Sequence, residues 1–98
     1  MGIPSDSDIT MDSLVTRAPD QVSCNLGGES VMLNMKSGVY FGLNPIGARI
    51  WELLERPMKV SAIRDVLIRE YQVEPERCVK ELLSLLGDLH RARLIRKE

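Results

Sequence analysis

The residues whose types could support catalysis are few and lie far apart in this chain. The single histidine, His90, stands in a basic stretch at residues 90–93 near the end of a helical pattern, where an imidazole commonly complements the helix dipole. Cys24 and Cys78 have no neighbouring histidine in sequence that would activate a thiolate. We therefore expect no catalytic residues, and we expect that this chain alone is not an enzyme.

Other kinds of chemical site are not indicated either. Pairs of carboxylates such as Glu52 and Glu55 lie among arginines, which predicts solvated helix faces. Gly27-Gly28 is not followed by the Lys-Ser or Lys-Thr of a phosphate-binding loop. No set of His, Cys, Asp and Glu has the spacing of metal ligands. The sequence therefore predicts neither a metal nor another cofactor.

The composition predicts one small globular domain. Ninety-eight residues, 44% of them hydrophobic, suffice for a single modest core. No apolar run approaches the ~18 residues of a membrane span. The N-terminus lacks the pattern of a signal peptide, and two widely spaced cysteines favour free thiols in a reducing compartment. We expect a cytoplasmic protein with no membrane partner, a disordered polar tail over residues 1–13 and a domain over residues 14–98.

The order of the periodic patterns predicts an α+β fold. Strand-like runs occupy residues 14–17, 21–26, 29–35 and 39–43. Asn44 and Pro45 then suit the N-cap and first position of a helix. Ser61 is predicted to cap a second helix, and a third is predicted from Glu74-Pro75 to about residue 92. Residues 94–96 form either a short strand or a frayed end. The parts are those of a winged helix-turn-helix-like fold, a three-stranded antiparallel sheet followed by three helices.

The hairpin before the first helix has a predicted register. A three-residue loop over residues 36–38 would place Gly38 in the left-handed conformation that such a loop needs. Counting outward gives three cross-strand pairs, Met35 with Val39, Leu33 with Phe41, and Val31 with Leu43. All six side chains would share one face of the sheet, with Tyr40 and Gly42 on the other.

Two binding functions fit these elements. The third strand of the sheet, residues 39–43, is an edge without a protecting proline or lysine. Its unpaired backbone groups could therefore receive a peptide as an added strand. A winged helix could instead bind DNA through its third helix. The acidic residues Glu76, Glu81 and Asp88 on that helix, and a net charge of −1, weigh against DNA.

The third helix is apolar on two adjacent stripes. One stripe is Val79, Leu83 and Leu86, and the other is Cys78, Leu82, Leu85 and Leu89. An ordinary surface helix has one apolar face. The second stripe is therefore either the wall of a groove or a further part of the core.

In chain order, the segments VMLN (31–34), a Ser37-Gly38 turn, YFGLN (40–44) and ARIWELL (48–54) resemble the PqqD-like family. The chain is similar to the discrete leader-peptide recognition proteins of lasso-peptide clusters, over about residues 20–96. The resemblance implies a winged-helix-like fold and a non-catalytic element that binds the leader of a ribosomally synthesised precursor. The implied partners are that leader peptide, a separate cysteine-protease-type leader peptidase and a macrolactam synthetase, without nucleic acid.

The resemblance also implies where the leader binds. It would add as a strand beside the third strand, in the groove against the third helix, and Trp51 would belong to the core. The expected leader-binding residues are Val39, Tyr40, Phe41, Gly42, Arg77, Val79, Lys80, Leu82, Leu83 and Leu86.

Overall fold

A computed structural model describes residues 9–19, 21–26 and 29–98 of the chain. Within these residues the elements are β1 (Leu14–Arg17), β2 (Gln21–Leu26), β3 (Glu29–Asn34), β4 (Tyr40–Leu43), α1 (Pro45–Leu53), β5 (Met58–Lys59), α2 (Val60–Tyr71), α3 (Pro75–Arg91) and β6 (Ile95–Lys97). The predicted α+β fold, a three-stranded antiparallel sheet followed by three helices, is confirmed. Gly27-Gly28 lies outside the described residues.

The three-stranded sheet has the order β2-β3-β4, with antiparallel pairing throughout. Its inner face contributes Met32 and Leu43 to a core that also contains the buried faces of all three helices. Trp51 of α1 is only 3% exposed, as expected of a core residue. Arg17 lies over its indole ring, 4.6 Å from the ring centroid, and donates two hydrogen bonds to the Trp51 carbonyl oxygen.

A second small sheet, which the sequence did not predict, closes the domain. β1 lies in its centre, between β5 and β6. The residues just before β1 also pack onto the domain, since Ile9 is buried and the carbonyl groups of Met11 and Ser13 accept hydrogen bonds from the start of α2. Residues 9–13 therefore pack onto the domain, whereas the sequence predicts a disordered tail over residues 1–13. Residues 1–8 lie outside the described residues.

The helix boundaries follow local signals at two of the three starts. The Asn44 side chain caps α1 by accepting a hydrogen bond from the Gly47 amide at 2.8 Å, and α3 begins at Pro75 as predicted. Ser61 does not cap α2, because the helix starts two residues earlier than predicted, with Lys59 at the N-cap. Its first amides instead bond to the chain before β1. No helix among the described residues is both long and apolar enough to cross a membrane.

The predicted hairpin register is wrong by one residue. β3 and β4 pair Leu33 with Tyr40 and Met32 with Phe41. The loop contains four residues (35, 36, 37 and 38), because the Asn34 amide donates to the Val39 carbonyl. Gly38 does have the expected positive φ, +74°. A loop longer by one residue shifts the register by one, which turns Val31 and Leu33 to the outer face, the face of Tyr40 and Gly42.

The Asn34 side chain explains why the longer loop is stable. Its Oδ1 accepts hydrogen bonds from the amides of Lys36 and Ser37 at 2.9 and 3.0 Å. Its Nδ2 donates to the Arg93 carbonyl at 2.8 Å, beyond the end of α3. Asn34 is only 3% exposed, so replacing its buried side-chain amide would remove all of these hydrogen bonds at once.

We expect Asn34→Ala to lower the free energy of unfolding by about 1–3 kcal/mol, the cost of leaving buried hydrogen-bonding groups unsatisfied. Ser23→Ala, at an exposed position of the same sheet, is the control and should change it by less than ~0.5 kcal/mol. Urea denaturation of both variants measures the difference. Equal stabilities of the two variants would contradict the role given to the Asn34 side chain.

Candidate functional site

The candidate site begins with the open edge of β4. This strand pairs only with β3 among the described strands. The Asn34–Val39 hydrogen bond makes those two residues a hydrogen-bonded pair, and such pairs alternate along an antiparallel ladder. Phe41 and Leu43 therefore direct their backbone groups to β3. The N–H and C=O groups of Tyr40 and Gly42 point away from β3, toward the open edge.

A groove of about 570 Å³ lies where the end of β4 meets the helices. It runs along the first half of α3 and is closed on the other side by the start of α1. The lining residues are Gly42, Leu43, Asn44, Ile46, Gly47, Ile50, Leu67, Tyr71, Val73, Glu74, Arg77, Cys78, Glu81, Leu82 and Leu85. We call this cavity the groove. It therefore adjoins the open backbone edge at Gly42.

Apolar side chains form the floor of the groove. Ile50, Leu67, Cys78 and Leu82 are all buried, and they come from three different helices. Gly47 allows α1 to start close to β4, since a Cβ at this position would lie 3.1 Å from the Leu43 side chain. Both Gly47 and Leu43 line the groove, so this close contact forms part of its wall.

Charged residues stand at the rim of the groove. Arg77 and Glu81 form an exposed ion pair at 3.1 Å on successive turns of α3. Arg49 makes a two-pronged pair with Glu70, with distances of 2.9 and 2.8 Å, and this pair joins α1 to α2 beside the groove. Hydrogen bonding to Arg49 holds the pKa of Glu70 below its usual value, and the same bond raises the pKa of Arg49. The pair therefore stays charged at neutral pH.

The structure places only part of the predicted binding set at the groove. Gly42, Arg77 and Leu82 line it. Phe41 is half-buried against the core on the inner face of the sheet, whereas Tyr40 is 72% exposed on the outer face. Val39 is exposed at the entrance of β4.

The remaining predicted residues of α3 lie elsewhere. Leu86 is fully buried in the core, and half-buried Leu83 packs against it. Val79 faces a separate depression beside Ile68 of α2. Lys80 is exposed on the outer surface of α3. The helical phase explains this division, because residues 77, 78, 81, 82 and 85 form one continuous face of a helix.

Sequence reasoning missed several groove residues. Tyr71, Val73 and Ile46 come from elements that were not connected with the third strand. Cys78 and Leu85 belong to the second apolar stripe of α3. The sequence predicts that this stripe is either the wall of a groove or a further part of the core. The second stripe was the available signal for the groove, since α3 has more apolar residues than one core-facing side of a helix requires. Among the described residues, no group of three or more His, Cys, Asp and Glu could hold a metal ion.

Comparison with known proteins gives two matches. The family described as "Coenzyme PQQ synthesis protein D (PqqD)" matches residues 29–95, more than half of the chain. A solved structure named "TbiB1 in Complex with the TbiA(beta) Leader Peptide" matches with a TM-score of 0.76 and 32% sequence identity, covering 83% of this chain and 94% of that one. No curated protein matches the chain.

The two thiols provide a test of the groove geometry. Cys24 is exposed, whereas Cys78 is 6% exposed at the groove floor, where burial raises the pKa of its thiol. We expect Cys24 to react with Ellman's reagent at pH 8 at least about tenfold faster than Cys78, because less of the buried thiol is ionised. The variant Cys24→Ser should retain only the slow reaction, and both thiols should react alike in denaturant. Equal rates in the native protein would contradict the placement of Cys78.

Proposed function

The chain belongs to the PqqD family, and from this premise we propose that it binds the leader peptide of a ribosomally synthesised precursor. The observation that carries the proposal is the open edge of β4 directly beside an apolar groove. The similarity to a structure containing a leader peptide supports it. The described residues offer binding surfaces rather than a constellation of catalytic groups, so the proposed role is non-catalytic.

In the proposed complex the leader adds to the sheet as a strand beside β4. The backbone groups of Tyr40 and Gly42 are the ones that point to this edge, and they would pair with the backbone of the leader. Such pairing gives affinity with little dependence on sequence, whereas pockets for alternate side chains give specificity. Alternate leader side chains would then point toward the helices, where Leu82 and Leu85 offer apolar contacts.

The outer face of the sheet contributes a second set of contacts. Tyr40 is 72% exposed there and would lie opposite an outward-facing side chain of the added strand. Arg77 and Glu81 at the rim could each pair with a charged leader residue, though exposed ion pairs contribute only ~0–1 kcal/mol. Most of the affinity is therefore assigned to the backbone edge and to the apolar floor.

The resemblance to lasso-peptide recognition proteins extends the proposal to partners. We propose that the precursor is a lasso peptide, and that the bound leader is presented to a separate cysteine-protease-type peptidase. A macrolactam synthetase would act on the product. Because the groove occupies the first half of α3, most of the surface remains available to such partners.

The open edge can be tested with two matched proline variants. Gly42→Pro removes an amide that points to the β4 edge, and open space surrounds this position. Ser23→Pro removes an amide that, by the same alternation, points to the opposite edge of the sheet at β2. With a synthetic leader of the precursor encoded beside this chain, Gly42→Pro should weaken binding at least about tenfold, through a lost hydrogen bond and a steric clash.

Ser23→Pro should bind the leader as the unmodified chain does, and isothermal titration calorimetry measures both affinities. Thermal melts must first show that each variant is folded. If the leader binds Gly42→Pro at full strength, the strand-addition proposal is wrong.

A second pair of variants tests which face of α3 contacts the leader. Leu85 and Val79 are both half-buried on α3, but only Leu85 lines the groove. Leu85→Lys should weaken leader binding at least about tenfold, because a desolvated ammonium group would replace an apolar contact. Val79→Lys should have a much smaller effect in the same titration. A larger effect at Val79 would favour the contact face expected from the sequence.

A further inference from the structure

A second cavity, of about 990 Å³, opens at the far end of α3 from the groove. It lies between the β1–β2 connection, the β3–β4 loop and the residues that follow α3. Its lining residues are Ala18, Pro19, Asn34, Lys36, Ser37, His90, Arg91, Arg93, Ile95 and Arg96. We call it the basic cavity. About ten helical residues separate it from the centre of the groove, which is roughly 15 Å along the helix axis.

The lining of this cavity has an excess of positive charge. Its cations are Lys36, Arg91, Arg93 and Arg96, and its described lining contains no aspartate or glutamate. Arg91 pairs with Asp88 and Arg96 pairs with Glu98, so two carboxylates stand at its flanks. Arg93 has no ion-pair partner among the described residues. Arg93, beside the paired Arg91 and Arg96, is therefore the cation whose charge is left for a ligand, and it predicts an anionic one.

The backbone around Arg93 is held in place before any ligand arrives. Arg93 has a positive φ of 60°, and its amide donates to the His90 carbonyl at 3.0 Å. The Asn34 side chain binds its carbonyl group from the opposite wall. These bonds fix the direction in which the chain leaves α3, so binding of a ligand would require little ordering of the backbone.

An unsatisfied polar group accompanies the cations. The Nδ1 atom of His90 is buried and has no hydrogen-bond partner among the described residues, although His90 lines the cavity. Buried polar atoms in folded proteins rarely lack a partner. A ligand in the cavity would reach this buried atom only if the His90 ring turned.

We propose that the basic cavity binds a short acidic segment of a protein partner, a run of aspartate and glutamate residues. Ala18 and Pro19 provide apolar surface for the aliphatic parts of such side chains. The carboxylates of Asp88 and Glu98 at the flanks limit the ligand to a short anionic segment, because they would repel negative charge that continued past the cavity. A partner bound here could act on a leader held in the groove, a role that rests on the proposed function.

The proposal can be tested with a fluorescein-labelled tetraglutamate peptide as the probe, since a longer acidic chain would meet the flanking carboxylates. Fluorescence anisotropy should show binding at low salt that weakens as salt is added. Arg93→Glu should weaken this binding about tenfold or more, since it places a like charge in the cavity. Arg56→Glu, the same charge change at an exposed residue outside the cavity, is the matched control and should alter the affinity less than about twofold.

Amide chemical shifts locate the probe independently of the variants. The changes should fall at residues 36–37 and 90–96 and leave residues 42–50 and 77–85 unaffected. If Arg93→Glu changes the thermal melt, Arg96→Ala, at an exposed position, should show the same direction of effect. Equal loss of binding in Arg56→Glu would mean general charge attraction and would overturn the proposal.

Two further arms separate the alternatives. A short DNA duplex that binds more tightly than the peptide, with the same dependence on Arg93, would overturn the proposal in favour of nucleic acid. Binding of inorganic phosphate without binding of the peptide would overturn it in favour of a small-anion site. Arg93→Glu should leave leader binding unchanged, because Arg93 does not line the groove. If the unmodified chain fails to bind the leader but binds the acidic peptide, the proposed function is refuted and this proposal stands.

Discussion

The side-chain amide of Asn34 is buried where β3 enters the hairpin loop, and it bonds to both sides of the molecule. Its oxygen accepts from two loop amides, and its nitrogen donates to a carbonyl group beyond α3. These bonds stabilise a hairpin loop of four residues, 35–38, in place of the three that the sequence predicts. The register then turns Phe41 and Leu43 toward the core and directs the free backbone groups of Tyr40 and Gly42 to the open edge. One buried amide thus sets the orientation of the strand to which the proposed ligand would add.

The edge of β4 and the groove form one continuous surface because Gly42 belongs to both. An open edge alone is a liability, since it can pair with any extended chain. An apolar groove beside it restricts which chains pair well, because alternate side chains must fit its floor. The close packing of Gly47 against Leu43 and the Arg49–Glu70 pair position α1 and α2 around this floor. Strands and helices thus supply different parts of one proposed binding site: β4 offers backbone hydrogen bonds, and the helices add apolar contacts that contribute both affinity and selectivity.

The sequence predicted those features that local chemistry determines. Asn44 and Pro45 start α1, and Pro75 starts α3, because caps and proline act within a few residues. The hairpin register depends on whether the loop has three or four residues. The buried Asn34 side chain, which bonds to the chain beyond α3, favours the four-residue loop. β1 likewise pairs with two strands that are far from it in sequence, β5 and β6. At the site, the apolar stripes of α3 were visible, but their assignment to core, groove or α2 depends on how three helices pack around it. The stripes alone therefore do not show that Leu86 lies in the core, that Val79 faces α2 or that Leu85 lines the groove.

Hydrogen exchange of individual backbone amides tests strand addition at β4 most directly. The amides of Tyr40 and Gly42 have no partner in β3, so they should exchange rapidly in the free protein. A saturating synthetic leader should protect both, while the Ser23 amide at the opposite edge should be unchanged. Slower exchange at Tyr40 and Gly42 alone is the predicted result. Protection confined to the helices, or found at Ser23 instead, would contradict strand addition at β4.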